Sequence, residues 1–204
     1  MIKLITLYMR RLFLAINIPE DIRKKIAKQR DALESLIPGA RFISGDDVHI
    51  TPSDNFHLTL VFLGYQEDEA VLPIIKSMED IVSEIEPPEI ILDDISYGPP
   101  KGTPRMIWLN GTKETSKSLS SIKIALEDEL IKNKVRFKLE NREFNSHITL
   151  ARFTEIPKGE LPEIGKEFKK LDWFFMPESI DLMESQLSRS GAKYEILQRI
   201  NFKQ

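Results

Sequence analysis

The chain has no cysteine, and only three of its 204 residues are histidine. The first absence excludes a disulfide framework and any thiolate chemistry. With so few imidazoles left, a structural zinc site lacks ligands, and a reducing compartment suits such a composition. Excess positive charge is missing as well: 29 Lys and Arg stand against 32 Asp and Glu, a formal net charge of −3. No global basic field gathers nucleic acid, which argues against a protein that coats long RNA or DNA. An enzyme that grips one terminal nucleotide with a few local cations stays open. Long apolar runs are also absent. In MIKLITLYMRRLFLAINIP, Arg10 and Arg11 interrupt the apolar stretch too early for a membrane span, and no small-residue cleavage site follows. The expectation is a soluble, cytoplasmic protein without membrane contact, in which residues 1–8 form an N-terminal extension ahead of Met9.

What is present is ordinary for a globular protein: 41% hydrophobic and 30% charged residues. The length suits one domain, 1–204, of two lobes with a shared core. RLFLAINI (11–18) is a short apolar run stopped by Pro19 and reads as a buried strand. Residues 19–39 read as a helix, with Ile22, Ile26, Leu33 and Ile37 near helical spacing and Pro38-Gly39 at the end. FHLTLVFLG (56–64) is a strand closed by Gly64, and 67–85 a second amphipathic helix with Pro73 in its early turns. EIILDDISYG and PRMIWLNG are strands split by a Pro/Gly-rich loop. A third helix, 116–133, aligns Leu119, Ile122, Leu126 and Leu130. FNSHITLARF is a strand, 161–172 a short helix, and 179–187 with 192–202 a closing strand pair. Loose alternation with several hairpins predicts an α+β fold, not a doubly wound parallel sheet.

Two of these strands carry His-apolar-Thr-Leu. Residues i and i+2 of a strand share a face, so His57 lies beside Thr59 and His147 beside Thr149, with their leucines turned to the other side. His49 is also followed two places on by a threonine. There, Pro52 removes a ladder donor and turn-forming residues follow, so the strand that would aim His49 is missing. Two similar lobes, each lending one His-x-Thr strand to a common cleft, supply two proton-transfer groups and two hydroxyl donors. That set suits in-line displacement at phosphorus. A neutral imidazole takes a proton from the attacking oxygen and an imidazolium gives one to the leaving oxygen, both forms being accessible at an unperturbed pKa of about 6.5. The threonines hold non-bridging oxygens as charge builds. No metal is required where a ribose hydroxyl or a strained cyclic phosphate makes the ester reactive. Which imidazole gives and which takes is left open by these residues.

FHLTLVFLG and SHITLARF resemble the paired HxTx motifs of the two-histidine (2H) phosphoesterase superfamily. Within it the chain is similar to the RNA 2′,3′-cyclic phosphodiesterases, also called 2′-5′ RNA ligases of the LigT type. The likeness extends through MRRLFLAINIP, PSDNFHLTLVFLG, PRMIWLNG and SQLSRSGAKYEIL, nearly the whole chain. It implies two pseudo-symmetric lobes of antiparallel sheet with helices outside, the HxTx strands lining a central cleft. It also implies hydrolysis of a terminal 2′,3′-cyclic phosphate to a 2′-phosphate, without cofactor or metal. By this resemblance His57 is the proton donor to the departing 3′ oxygen and His147 the proton acceptor from water, while Thr59 and Thr149 bind phosphate oxygens. Arg152 matches an arginine that contacts the substrate nucleotide. Simple alternation turns Arg152 away from His147, so the strand must end or bulge there. The family's aromatic ahead of PRMIWL aligns with Gly98, a departure that leaves neighbouring Tyr97 as the candidate base contact. Arg105, with Lys101, is a candidate for RNA phosphates. Trp108 is expected in the core or lobe interface, and Tyr194 in a structural role. The implied partners are RNA ends bearing a 2′,3′-cyclic phosphate, tRNA halves among them, and the implied state is a monomer. Ligation or 3′-5′ trimming of RNA, or a nucleotide- or RNA-binding module without turnover, are the alternatives.

Overall fold

The computed structural model describes residues 9–36, 48–153, 164, 171–188 and 191–203. Their strands are β1 (Met9–Asn17), β2 (Val48–Ile50), β3 (His57–Glu67), β4 (Ile90–Gly98), β5 (Met106–Gly111), β6 (His147–Phe153), β7 (Trp173–Phe175), β8 (Ser179–Ser188) and β9 (Gly191–Asn201). The helices are α1 (Glu20–Leu36), α2 (Val71–Val82) and α3 (Lys113–Lys132). One sheet has the order β3-β1-β8-β9 and the other β2-β6-β5-β4-β7, with antiparallel pairing throughout. This is the expected α+β fold of two antiparallel lobes. Among the described residues, no helix is long and apolar enough to cross a membrane.

Local chemistry accounts for the elements. Glu20 and Asp21 sit in the first turn of α1, complementing its dipole, and Glu20 pairs with Arg23 and Lys24. Thr112 caps α3 by accepting a hydrogen bond from the Thr115 amide at 3.1 Å, and Leu119, Leu126 and Leu130 bury its apolar stripe. β1 is buried from Leu12 to Ile16 because both of its faces are covered. Leu12, Leu14 and Ile16 join one core with Leu58 and Leu60 of β3, Ile148 and Leu150 of β6, and the buried residues of the three helices. Phe13 and Ala15 face the other way, in a small cluster with Met183.

Bulges decide which side chains line that second face. In β3, Thr59 pairs with Ala15 and Val61 with Leu14, leaving Leu60 as an extra residue. A second irregularity follows, where Phe62 pairs with Phe13 and Gly64 with Leu12. In β6, Thr149 pairs with Trp108 and Ala151 with Ile107, leaving Leu150 extra. Each extra residue lets two successive side chains enter the core and shifts the alternation by one. Gly64 was expected to close β3, but the strand runs on to Glu67. Gly64 has φ +72, and a Cβ there would touch nothing within 4 Å. Backbone conformation, not space, therefore favours glycine at this irregularity.

The three-residue strands β2 and β7 were not anticipated; they are too short to carry a period. The helix expected at 161–172 lies almost wholly outside the described residues, as do residues 1–8 and the apex of the β8–β9 hairpin.

Candidate functional site

His57 and His147 begin β3 and β6, and each takes its orientation from the residue two places before it. His57 Nδ1 lies 2.7 Å from the Asn55 carbonyl oxygen, and His147 Nδ1 lies 2.8 Å from that of Asn145. A carbonyl only accepts, so Nδ1 carries the proton in both rings and donates it there. Nε2 has no hydrogen-bond partner among the described residues and is the nitrogen left to take or give a proton. β3 of one sheet touches β6 of the other, and the two imidazoles are close enough for His147 to act on the charge of His57.

The rings are held by different neighbours. His57 packs against Phe13 and edge-on against Tyr194, with ring centroids 5.0 Å away in both cases. His147 stacks on Trp108 at 3.8 Å with an interplanar angle of 21°. Neither Trp108 nor Tyr194 was read as part of the site; short cross-strand contacts of this kind leave no signal in spacing. Trp108 also accounts for the glycine at position 98. A Cβ on Gly98 would lie 2.2 Å from the indole ring, so the tryptophan occupies the space that a side chain at 98 would need. Asn17 and Asn110, likewise unread, stand directly opposite His57 and His147 on the partner strands. Asn17 donates to the buried Asp181 carboxylate at 2.7 Å, and Asn110 to the Ser96 hydroxyl at 2.8 Å.

Burial pushes the His57 imidazole down to about 4; Arg152 and His147 push the same way, while the Asn55 hydrogen bond opposes them. His147 is lowered by burial too, with Arg142 and Arg152 adding to the effect and the Asn145 hydrogen bond and Glu140 opposing it. Both shifts favour the neutral imidazole.

The structure brings Arg152 to the cleft. Because Leu150 is extra, Ala151 pairs with core residue Ile107 and Arg152 with Met106, on the face that carries Trp108 and Thr149. Arg152 is exposed, with Nη1 3.1 Å from Met106 Sδ, and its charge reaches both histidines. This is the bulge that the sequence required for Arg152 to face the cleft.

Tyr97 goes the other way. It pairs with Ile107, packs on the core and meets the Phe153 ring at 6.3 Å, and burial pushes its hydroxyl up to about 12. The base contact expected of Tyr97 is therefore corrected: strand parity turns the ring from the histidines. Arg105 is exposed ahead of β5, one place out of step with cleft-facing Met106. Its backbone is engaged, the amide donating to Gly98 and the carbonyl accepting from Phe153. His49 needs a correction of a different kind. It does lie on a strand, β2, paired with Arg152 and exposed at the margin of the same face. The pleat ends before Pro52, as expected. Among the described residues no group of three or more His, Cys, Asp or Glu forms a metal-holding cluster.

Two antiparallel lobes facing each other through matched His-x-Thr strands are the architecture of the two-histidine phosphoesterases. A family profile described as LigT like phosphoesterase matches residues 16–108 and 111–194, and the chain belongs to that family. It is 30% identical over 193 residues to the RNA 2′,3′-cyclic phosphodiesterase of Methanocaldococcus jannaschii, covering 92% of this chain and 98% of that one. A protein of the same name from Thermus thermophilus is 27% identical over 195 residues, covering 95% and 90%. The crystal structure of E. coli LigT complexed with 3′-AMP superposes with a TM-score of 0.72 at 25% identity, over 97% of this chain and 100% of that one.

Proposed function

We propose that this chain is an RNA 2′,3′-cyclic phosphodiesterase that opens a terminal 2′,3′-cyclic phosphate to a 2′-phosphate, with His57 and His147 as its two proton-transfer groups and no metal. The observation that carries this reading is the matched geometry of the two imidazoles. Each has Nδ1 committed to an asparagine carbonyl, which leaves Nε2 as the nitrogen that can exchange a proton. The names of the relatives support the substrate class.

Two imidazoles both held toward the neutral form favour the base and disfavour the acid. A bound cyclic phosphate supplies the missing condition: its negative charge opposes the effect of Arg152 and raises both pKa values. One ring then gains a proton. We assign that role to His57 by resemblance to the family, as donor to the 3′ oxygen, and assign His147 to accept the proton of the attacking water. The water oxygen bonds to phosphorus as the bond to the 3′ oxygen breaks. The products are a 2′-phosphate monoester and a free 3′ hydroxyl, after which the two rings exchange their protonation states with solvent. Thr59 and Thr149, each on its histidine's face, donate to the non-bridging oxygens, and Arg152 holds the anion.

The test is an RNA with a 2′,3′-cyclic end, incubated with the protein in EDTA, with the terminal phosphate then located. A 2′-phosphate formed at full rate is expected. A 3′-phosphate, or a strict requirement for divalent metal, would overturn the proposal.

A further inference from the structure

The two irregularities in β3 do more than expose one histidine. Phe62 pairs with Phe13 on the His57 face, and Tyr65 pairs with Arg11, which shares the parity of Phe13 along β1. His57, Thr59, Phe62 and Tyr65 therefore line one continuous face, although simple alternation would scatter them over two. Phe62 is 48% exposed and Tyr65 63% exposed, two large aromatic rings left in part to solvent on one strand. They form one wall of a groove of about 930 Å³, whose other wall is the segment from Arg136 to Arg142.

That second wall carries three cations, Arg136, Lys138 and Arg142, and one acid. Arg136 and Lys138 are exposed, and Arg11 adds a further cation next to Tyr65. Arg142 is paired with Glu140, the acid of this wall, at 2.9 Å. The groove joins the cleft at one end: Phe62 shares a face with His57 and Thr59, while Arg142 and Glu140 both act on the charge of His147. Exposed aromatics beside a row of cations match single-stranded nucleic acid, which offers bases to stack and phosphates to pair.

We infer that this groove holds the RNA strand that leads into the terminal cyclic phosphate, with an upstream base on Tyr65 and backbone phosphates at Arg136 and Lys138. The inference rests on the proposed function for the identity of the strand, and it makes the chain a reader of oligonucleotides, not of mononucleotides alone. A local track of this kind is consistent with the overall charge of −3, because only one face needs to be basic.

The experiment compares a fluorescent RNA hexamer ending in a 2′-phosphate with the matching 2′-mononucleotide, by anisotropy and competition, and compares hydrolysis of their cyclic forms. The wild type is expected to bind the hexamer more tightly. Tyr65→Ala should weaken hexamer binding by roughly 5- to 150-fold, the usual worth of one stacked base. The double variant Arg136→Gln, Lys138→Gln should flatten its salt dependence by about 1 to 1.5 in log–log slope. Hydrolysis of the cyclic mononucleotide should be the same in all three proteins. Equal affinity of the wild type for hexamer and mononucleotide overturns the groove, and so does hexamer binding that neither variant changes. If the hexamer binds as expected but no cyclic phosphate is opened, the groove stands and the catalytic proposal falls.

Discussion

In the first lobe, His57 leaves a short 3₁₀ turn, Ser53–Asn55, whose Asn55 side chain donates to the Ala192 carbonyl at 2.8 Å. In the second, His147 leaves an extended segment whose Ser146 amide donates to the Ser116 hydroxyl at the start of α3, and whose carbonyl accepts from Gly111. The anchors differ, yet both end with an asparagine carbonyl on Nδ1, a threonine two places on and an extra leucine after it. The fifth residue after each histidine is where the lobes part: Phe62 in one and Arg152 in the other, both turned to the cleft. Backbone symmetry with side-chain asymmetry suits the substrate proposed above, whose two sides differ, a phosphate on one hand and a nucleoside on the other. The histidine environments differ as well, with a tilted Phe13 and an edge-on Tyr194 around His57 and a stacked indole under His147.

The largest break in the symmetry should come from the histidines themselves. His57→Ala and His147→Ala are each expected to lower kcat by roughly 10²–10⁴-fold, whereas His49→Ala should cost little. A substrate with sulfur at the 3′ position leaves without protonation, so it should restore His57→Ala and not His147→Ala. Equal rescue of both would end the assignment of acid and base, and equal activity in all three alanine variants would end the site.

A break confined to the second lobe is expected from Gly98→Ala. The new methyl would be forced into the Trp108 ring, a strain of about 1–3 kcal/mol by the usual cost of overpacking. Thermal unfolding should report the loss, and the ring signals of His147 should shift in an NMR spectrum while those of His57 stay. Unmoved His147 signals would show that Trp108 does not set its position.

The smallest effect separates the two fifth residues. Arg152 pushes both imidazoles down, so Arg152→Gln should raise both pKa values. The bell-shaped profile of kcat/KM should then move as a whole toward higher pH. Phe62→Leu changes no charge and should leave the profile in place; a shift in both variants would refute the electrostatic distinction between the lobes.

Much of this was legible in the residues. The long strands, the three helices and the closing hairpin follow from period, capping and turn chemistry, all properties of neighbouring residues. The pair His57–Thr59 and its counterpart His147–Thr149 were legible for the same reason: the i, i+2 rule places each threonine beside its histidine. Gly64 misled because glycine both ends strands and permits irregularities inside them. β2 escaped notice because three residues make no pattern, so no strand was legible under His49.

Sequence alone determined that two matched His-x-Thr strands exist and that each carries its leucines on the opposite face. Tertiary structure decided which further side chains join them. Arg152 and Phe62 face the cleft, and Tyr97 does not, because strand pairing inserts or omits an extra residue. Trp108 and Tyr194 support the histidines because β5 and β9 bring them there from distant parts of the chain. Parity within a strand is local, but a bulge exists only relative to a partner strand, and a stacked ring only relative to a neighbour that folding supplies.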